Sequence, residues 1–287
     1  LVKIGACVFK PDYGDRVPED ALFSNGQTGA QMHNLYLHLY AKAAYDVIEE
    51  ATGEGVVWRR AGYIGSQRMA GTWAGDTQVS WEGMRCCLRG GLSAGFNGDA
   101  FWSHDIGGFV GPQPSPEMYI RWMQFGMLSP FCRWHGTTPR EPWEYGETAL
   151  EVARHYGELR YRLIPYLRQC AEETCERGTP ILRHLKLEFP EDALLEHVDD
   201  QYMLGPDLLV APVLEPGVSQ RRVIFPSGHW RPFEGGEAVE GPCARNVEAP
   251  LERIPLFVRV GATIPMFETA PQHLKGELPN VKAVRFD

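Results

Sequence analysis

Two short segments of this chain each carry an aspartate just past a run of strand-forming residues: Phe9-Lys10-Pro11-Asp12-Tyr13-Gly14-Asp15 and Trp73-Ala74-Gly75-Asp76. An apolar run over residues 2–9 leads to Asp12, and Val56-Val57-Trp58-Arg59-Arg60 leads towards Asp76. Two carboxylates at consecutive strand ends, walled by Trp and Tyr, suit cleavage of a glycosidic bond. That bond breaks through an oxocarbenium-like state, for which one ionised carboxylate serves as nucleophile and one protonated carboxyl as acid. The two need different surroundings. Lys10 precedes Asp12 by two residues, Arg16 follows by four, and Arg60 is expected nearby. Cations favour the charged form, so Asp12 is the better nucleophile. Asp76 follows the more apolar Trp73-Ala74-Gly75 and is the better proton donor. From spacing alone a turn or N-cap role for either aspartate stays open.

The elements that must position these groups follow from periodicity. Residues 2–10 and 56–63 read as strands, and 100–105 as a strand running through Phe101-Trp102 into His104-Asp105. Residues 30–51 read as a helix stopped by Gly53, 81–88 as a second closed by Gly90-Gly91, and 116–128 as a third with Pro in its first turn. The stretch 147–177 is helical with a kink at Pro165, and 181–187 reads as the last strand of the series. Alternating strand and helix means βα units around a parallel sheet. Four or five strands are too few to close an eight-stranded barrel. Beyond about residue 200, short strands at 208–213, 223–225 and 256–260 between Pro- and Gly-rich turns read as an antiparallel β-sandwich. The expected division is 1–200 for the barrel part, 201–267 for the sandwich and 268–287 for the start of a further segment.

Composition sets outer bounds. The chain has 287 residues, 44% hydrophobic and 23% charged, as for an ordinary globular protein. A net charge of −9 excludes a nucleic-acid or anionic-membrane partner, which needs clustered Lys and Arg. No apolar run approaches the roughly 20 residues of a spanning helix, so no membrane partner is expected. Seven cysteines, an odd number without a CxxC, point to a reduced cytoplasmic interior. The chain opens on Leu1 rather than Met, so a signal upstream stays open. The nine histidines show no metal-ligand spacing. Ser103-His104-Asp105 is no hydrolytic triad, whose members converge from distant positions. Cys86-Cys87 reads as core packing, and 147–158 as a solvated helix face.

The segment from Phe9 to Pro18 resembles the nucleophile region of glycoside hydrolase family 31, closest to its α-xylosidase branch, which carries a Lys-Thr-Asp-Phe-Gly-Glu pattern there. Met32-His33-Asn34 is similar to the same branch. Arg60 and Trp73-Ala74-Gly75-Asp76 resemble the family's sugar-binding arginine and Trp-Gly-Gly-Asp acid/base segment. Phe101-Trp102-Ser103-His104-Asp105-Ile106-Gly107-Gly108-Phe109 resembles its Asp-Ile-Gly-Gly-Phe signature. Arg133-Trp134-His135-Gly136 and Gln201-Tyr202-Met203-Leu204-Gly205 extend the likeness, which runs from about residue 2 to 267. The resemblance implies an incomplete (β/α)8 TIM-type barrel followed by the sandwich, the C-terminal portion of a retaining exo-α-glycosidase. It implies Asp12 as nucleophile, Asp76 as acid/base, and Lys10, Arg60, Trp73, His104 and Asp105 around a terminal α-xyloside, with neither metal nor organic cofactor.

Pro11 replaces the branch's Thr, and Asp15, one methylene shorter, replaces its Glu. Family members carry a β-sandwich and three barrel strands before the nucleophile strand. An open half-barrel would expose apolar edges, which assembly into a homo-oligomer would cover. The alternatives are an α-glucosidase or sulfoquinovosidase of the same family, or a non-catalytic carbohydrate-binding fragment.

Overall fold

The computed structural model describes residues 1–6 and 8–287. Its first long helix, α1 (Gly29–Thr52), begins where Thr28 and Gln31 each accept the other's backbone N–H, a reciprocal cap. It ends at Gly53, whose left-handed backbone closes the last turn on Glu49. Ser80 caps α2 (Trp81–Phe96) and Ser115 caps α3 (Pro116–Met127), each by accepting a backbone N–H three residues on. The expected helical stretch 147–177 is α4 (Glu147–Arg162) and α5 (Ile164–Arg177), separated at Leu163 ahead of Pro165.

Helix α2 runs past Gly90-Gly91, where the sequence suggested a stop. Each Gly in a helix interior costs about 1 kcal/mol, and packing offsets it here. A Cβ on Gly91 would lie 2.5 Å from Trp102 Nε1, so the bare backbone lets Trp102 seat against the helix. Gly91→Val is therefore expected to destabilise the fold by about 1–3 kcal/mol through overpacking. A lower urea midpoint at unchanged slope would show it, and an unaltered midpoint would contradict this packing.

Strands β1 (Val57–Arg59), β2 (Ala70–Trp73) and β3 (Phe101–Ser103) form a parallel sheet in sequence order. Phe9 extends it with a parallel bridge to Val57. On the other side, β4 (Asp105–Ile106) pairs in parallel with β5 (Arg133–Trp134), Asp105 opposite Arg133. These pairings give the βα arc of a TIM-type barrel. Its open apolar side holds a hollow of about 540 Å³ lined by Val8, Trp58, Phe131, Trp134 and Ile164 among others.

Two expectations need correction. Among the described residues of 2–10 no strand forms: Val2–Ile4 make a 3-10 turn, Ile4 is exposed, and Phe9 alone of the described residues there finds a ladder partner. A strand holds only when a neighbour takes its N–H and C=O groups. Cys7, within that expected strand, lies outside the described residues. Residues 181–187 do not close the parallel series. β6 (Leu182–Arg183) pairs antiparallel with β7 (Tyr202–Leu204), and α6 (Leu185–Glu188) follows because His184 Nδ1 accepts the Lys186 N–H.

β6 and β7 join β8 (Leu208–Val210), β9 (Gln220–Pro232), β10 (Val239–Glu248) and β11 (Leu256–Arg259) in an antiparallel sheet ordered β10-β9-β11-β8-β7-β6. β12 (Thr263–Phe267) pairs antiparallel with β13 (Val281–Arg285). One face of the large sheet shares a core with α2–α5 through Tyr202, Leu208, Val210 and Val258, so barrel and sheet are packed together. Cys87 is buried in that core, while Cys86 is exposed. Among the described residues no helix is long and apolar enough to cross a membrane.

Candidate active site

The C-terminal ends of the parallel strands bring most of the expected residues together. Behind Phe9, Tyr13 takes a left-handed conformation at φ 59° and Gly14 follows at 73°. A tyrosine rarely adopts that region, and here the turn aims the Tyr13 N–H at Asp12 Oδ1, 2.8 Å away. Helix α1 holds the turn from below, as Tyr40 Oη donates to the Asp12 carbonyl at 2.9 Å. Gly14 must be glycine, because a Cβ there would sit 2.4 Å from the Tyr40 ring.

Arg60, one residue past β1, is the hub. Its Nη1 donates to Asp12 Oδ1 at 3.0 Å and to Asp76 Oδ2 at 3.1 Å, and its Nε lies 3.5 Å from Asp15 Oδ2. Sharing one nitrogen limits the gap between those Asp12 and Asp76 oxygens to about 6 Å. Retaining glycosidases place their carboxyls roughly 5–5.5 Å apart and inverting ones roughly 6.5–9.5 Å. Lys10 Nζ holds the other Asp12 oxygen at 3.2 Å. Partial burial works to raise the Asp12 carboxyl. The hydrogen bonds from Arg60, the Tyr13 backbone and Lys10 outweigh it and hold the group down at about 2. Asp12 is thus a carboxylate at any neutral pH. The apolar surroundings expected for Asp76 are absent, since the same guanidinium touches it.

Trp73 is buried, but its face is not free for a sugar: Lys10 Nζ stands 3.7 Å above the ring centroid and Arg133 lies 5.3 Å away. The ring is held instead in a cation–π clamp. His104 departs from expectation. It is 1% exposed, stacked on Phe125 at 4.1 Å, and accepts from Trp122 Nε1 at Nδ1 while Nε2 meets Ser129 Oγ at 3.2 Å. Burial holds its imidazole down at about 3, so it is neutral with both nitrogens engaged. His104 is a core residue of the helix layer and does not line the site.

Asp105 does fall in place. It is fully buried, with Arg133 Nε and Nη2 both 2.5 Å from Oδ1. Its Oδ2 has no hydrogen-bond partner among the described residues, nor has Trp73 Nε1. Burial pushes the Asp105 carboxyl up against the pull of Arg133. The Arg133 guanidinium lies 5.2 Å from the Trp58 ring centroid, and His135 stacks on Phe109 at 5.2 Å. Burial, then Arg133, pushes the His135 imidazole down. Arg133 and His135 resemble the family in sequence, with no site role expected of them. The signal was strand parity: two residues apart in an extended segment, they share a face with each other and not with Trp134.

Asp105→Ala would leave the half-buried Arg133 charge without its partner. We expect it to destabilise the fold by about 3 kcal/mol, with Asp105→Asn milder. Equal denaturant midpoints for Asp105→Ala and the unsubstituted chain would contradict the pairing.

The family model of the glycosyl hydrolases family 31 TIM-barrel domain matches residues 4–169, and that of the glycosyl hydrolase family 31 C-terminal domain matches 178–264. This chain belongs to glycoside hydrolase family 31. It is 36% identical over 277 residues to an α-xylosidase of Emericella nidulans, covering 93% of this chain and 35% of that protein. It is 32% identical over 243 residues to α-glucosidase 2 of Bacillus thermoamyloliquefaciens, covering 83% and 31% respectively. A solved family 31 dextranase of Flavobacterium johnsoniae, complexed with glucose, matches with a TM-score of 0.89 at 33% identity, over 93% of this chain and 36% of that one. The chain spans about a third of the length of these family 31 relatives.

Proposed function

We propose that this chain carries the catalytic carboxylates of a retaining, exo-acting α-glycosidase that prefers a terminal α-xyloside, with α-glucoside next. The observation that carries the reading is the single Arg60 nitrogen shared by Asp12 and Asp76, which fits the short spacing of a double-displacement pair. Asp12, held ionised, attacks the anomeric carbon as the bond to the glycosidic oxygen breaks, and Asp76 gives that oxygen its proton. Water then hydrolyses the glycosyl–Asp12 ester, its proton returning to Asp76.

Arg60 carries five donors, enough to meet carboxylates and still reach a hydroxyl. Asp105 Oδ2, buried and unpartnered among the described residues, is an acceptor that a sugar hydroxyl can fill. Lys10 and Trp73 complete this wall, with Arg133 and His135 added to it. The relatives named α-xylosidase and α-glucosidase support an α-glycoside. The xyloside preference rests on Lys10 and on the likeness of the Asp12 segment to the α-xylosidase branch. The division at about residue 200 belongs to the same reading, with β6 crossing it to pair with β7. The test is hydrolysis of aryl α-xyloside and aryl α-glucoside by this chain beside Asp76→Ala. Faster xyloside turnover, lost in the variant, is expected; a variant as active as the unsubstituted chain would refute the acid/base assignment.

A further inference from the structure

Behind the site lies a buried cation that the reaction does not use. Arg140 is 4% exposed, and among the described residues its guanidinium has no carboxylate partner, only carbonyl and hydroxyl oxygens. A buried charge is costly unless its hydrogen bonds are met, and here they are met by backbone. Nε and Nη2 donate to the Gly108 carbonyl at 3.2 and 2.6 Å, and Nη1 to the Thr138 and Pro139 carbonyls at 2.9 and 3.0 Å. Thr138 Oγ1 and Tyr145 Oη also accept from Nη1. Two glycines make the room: a Cβ on Gly107 would lie 2.9 Å from Arg140 Nε, and one on Gly136 would lie 2.6 Å from Cζ. Tyr119 donates to the Arg140 carbonyl at 2.7 Å and stacks on Tyr145 at 3.8 Å, which fixes the arginine's own backbone.

The two segments so joined are those that leave the site. One follows Asp105 and the other follows Arg133 and His135. They are also tied directly, since the Thr137 N–H donates to the Phe109 carbonyl at 3.0 Å. The first continues into the loop of Asp76: the Phe109 and Val110 N–H groups donate to the Thr77 carbonyl at 2.8 and 3.1 Å, and the Val79 N–H returns to Val110 at 2.8 Å. A Cβ on Gly108 would lie 2.9 Å from Val79 Cα, so the ribbons touch.

We propose that Arg140 is a positioning residue for this site: by clamping Gly108 to the 138–139 turn, it sets, through Thr77, where Asp76 presents its carboxyl. The inference rests on the reading of Asp76 as acid/base. The guanidinium fork is needed, because a lysine's three N–H donors radiate from one nitrogen and do not span both segments as Nε, Nη2 and Nη1 do.

The test is Arg140→Lys in the full chain, with two readouts. In hydrogen exchange, the Phe109, Val110 and Thr137 amides are expected to lose protection while the β9 amides keep theirs; unchanged protection at all three would overturn the clamp. In kinetics, a displaced acid matters only where the leaving group needs a proton. Arg140→Lys is expected to lower kcat/KM for methyl α-xyloside on the order of 100-fold, and for α-xylosyl fluoride by less than about 5-fold. Equal losses on both substrates, or none, would overturn the proposal. Should Arg140→Lys fold poorly, Tyr145→Phe removes one acceptor of the same guanidinium and is expected to give the same pattern at smaller size. An unsubstituted chain that turns over neither substrate would count against the hydrolase reading itself, and the exchange experiment would still decide whether Arg140 holds the ribbon.

Discussion

Asp12→Ala is expected to lower turnover of an aryl α-xyloside on the order of 10,000-fold, because a nucleophile is lost and nothing nearby replaces it. Asp15 shares the Arg60 guanidinium, but it hangs on the far side of it, on Nε rather than Nη1. Added azide should restore activity in Asp12→Ala by entering the space the carboxylate left. It would attack from the face Asp12 used, so the product is the β-xylosyl azide, of inverted configuration. Asp76→Ala should differ in kind. There the ester on Asp12 still forms from an activated substrate, azide opens it, and the product is the α-azide. The anomer of the azide, read by NMR, thus assigns the two carboxylates independently of rate. An α-azide from Asp12→Ala would reverse the assignment.

Arg60→Met carries the second large effect. One guanidinium serves Asp12, Asp15 and Asp76, and its removal leaves three carboxylates crowded without their shared cation. Loss of kcat/KM on the order of 100- to 1000-fold is expected, as for removal of a preorganised charge from a reacting centre. The pH profile should change too. Burial, the largest influence on Asp12, acts to raise its carboxyl; without Arg60, only Lys10 and the Tyr13 N–H oppose it. The acidic limb of kcat/KM should therefore move to higher pH. The same logic governs stability. Asp12 at about 2 lies below its ordinary 3.8, so its contribution is present above 3.8 and is lost as pH falls towards 2. In Arg60→Met that contribution shrinks, and the variant's stability should depend less on pH across this acidic range. An acidic limb unmoved by Arg60→Met would sever the link between the arginine and Asp12.

Much of this site was legible in the sequence because strand ends and charge spacing are local signals. Asp12 with Lys10, and Asp76 with Arg60, follow from where extended runs stop. Helix α1 was legible because its stop residue, Gly53, is local to it. Three features were not legible, each for a physical reason. Residues 2–6 have strand propensity, but their N–H groups turn back on Leu1 and Val2 and, among the described residues, they pair with no strand; propensity without a ladder does not make a strand. Gly90-Gly91 reads as a helix stop until Trp102, distant in sequence, packs on it. His104 sits beside Asp105 in sequence, yet neighbours along an extended chain face opposite ways, so placing Asp105 with Arg133 sends His104 into the α3 layer. His135 was available by the same parity argument from Arg133. Arg140 carries no local signal at all. Its role appears only once two loops and two glycines converge on one guanidinium.

The most direct test of the account is to trap the covalent intermediate. A 5-fluoro-α-xylosyl fluoride forms the ester quickly and hydrolyses it slowly, so the chain should gain the mass of one 5-fluoroxylosyl group. Peptide mapping is predicted to place that label on Asp12, between Lys10 and Arg16. A label on Asp76 or Asp15, or turnover with no covalent species and inverted product, would contradict a retaining mechanism through Asp12.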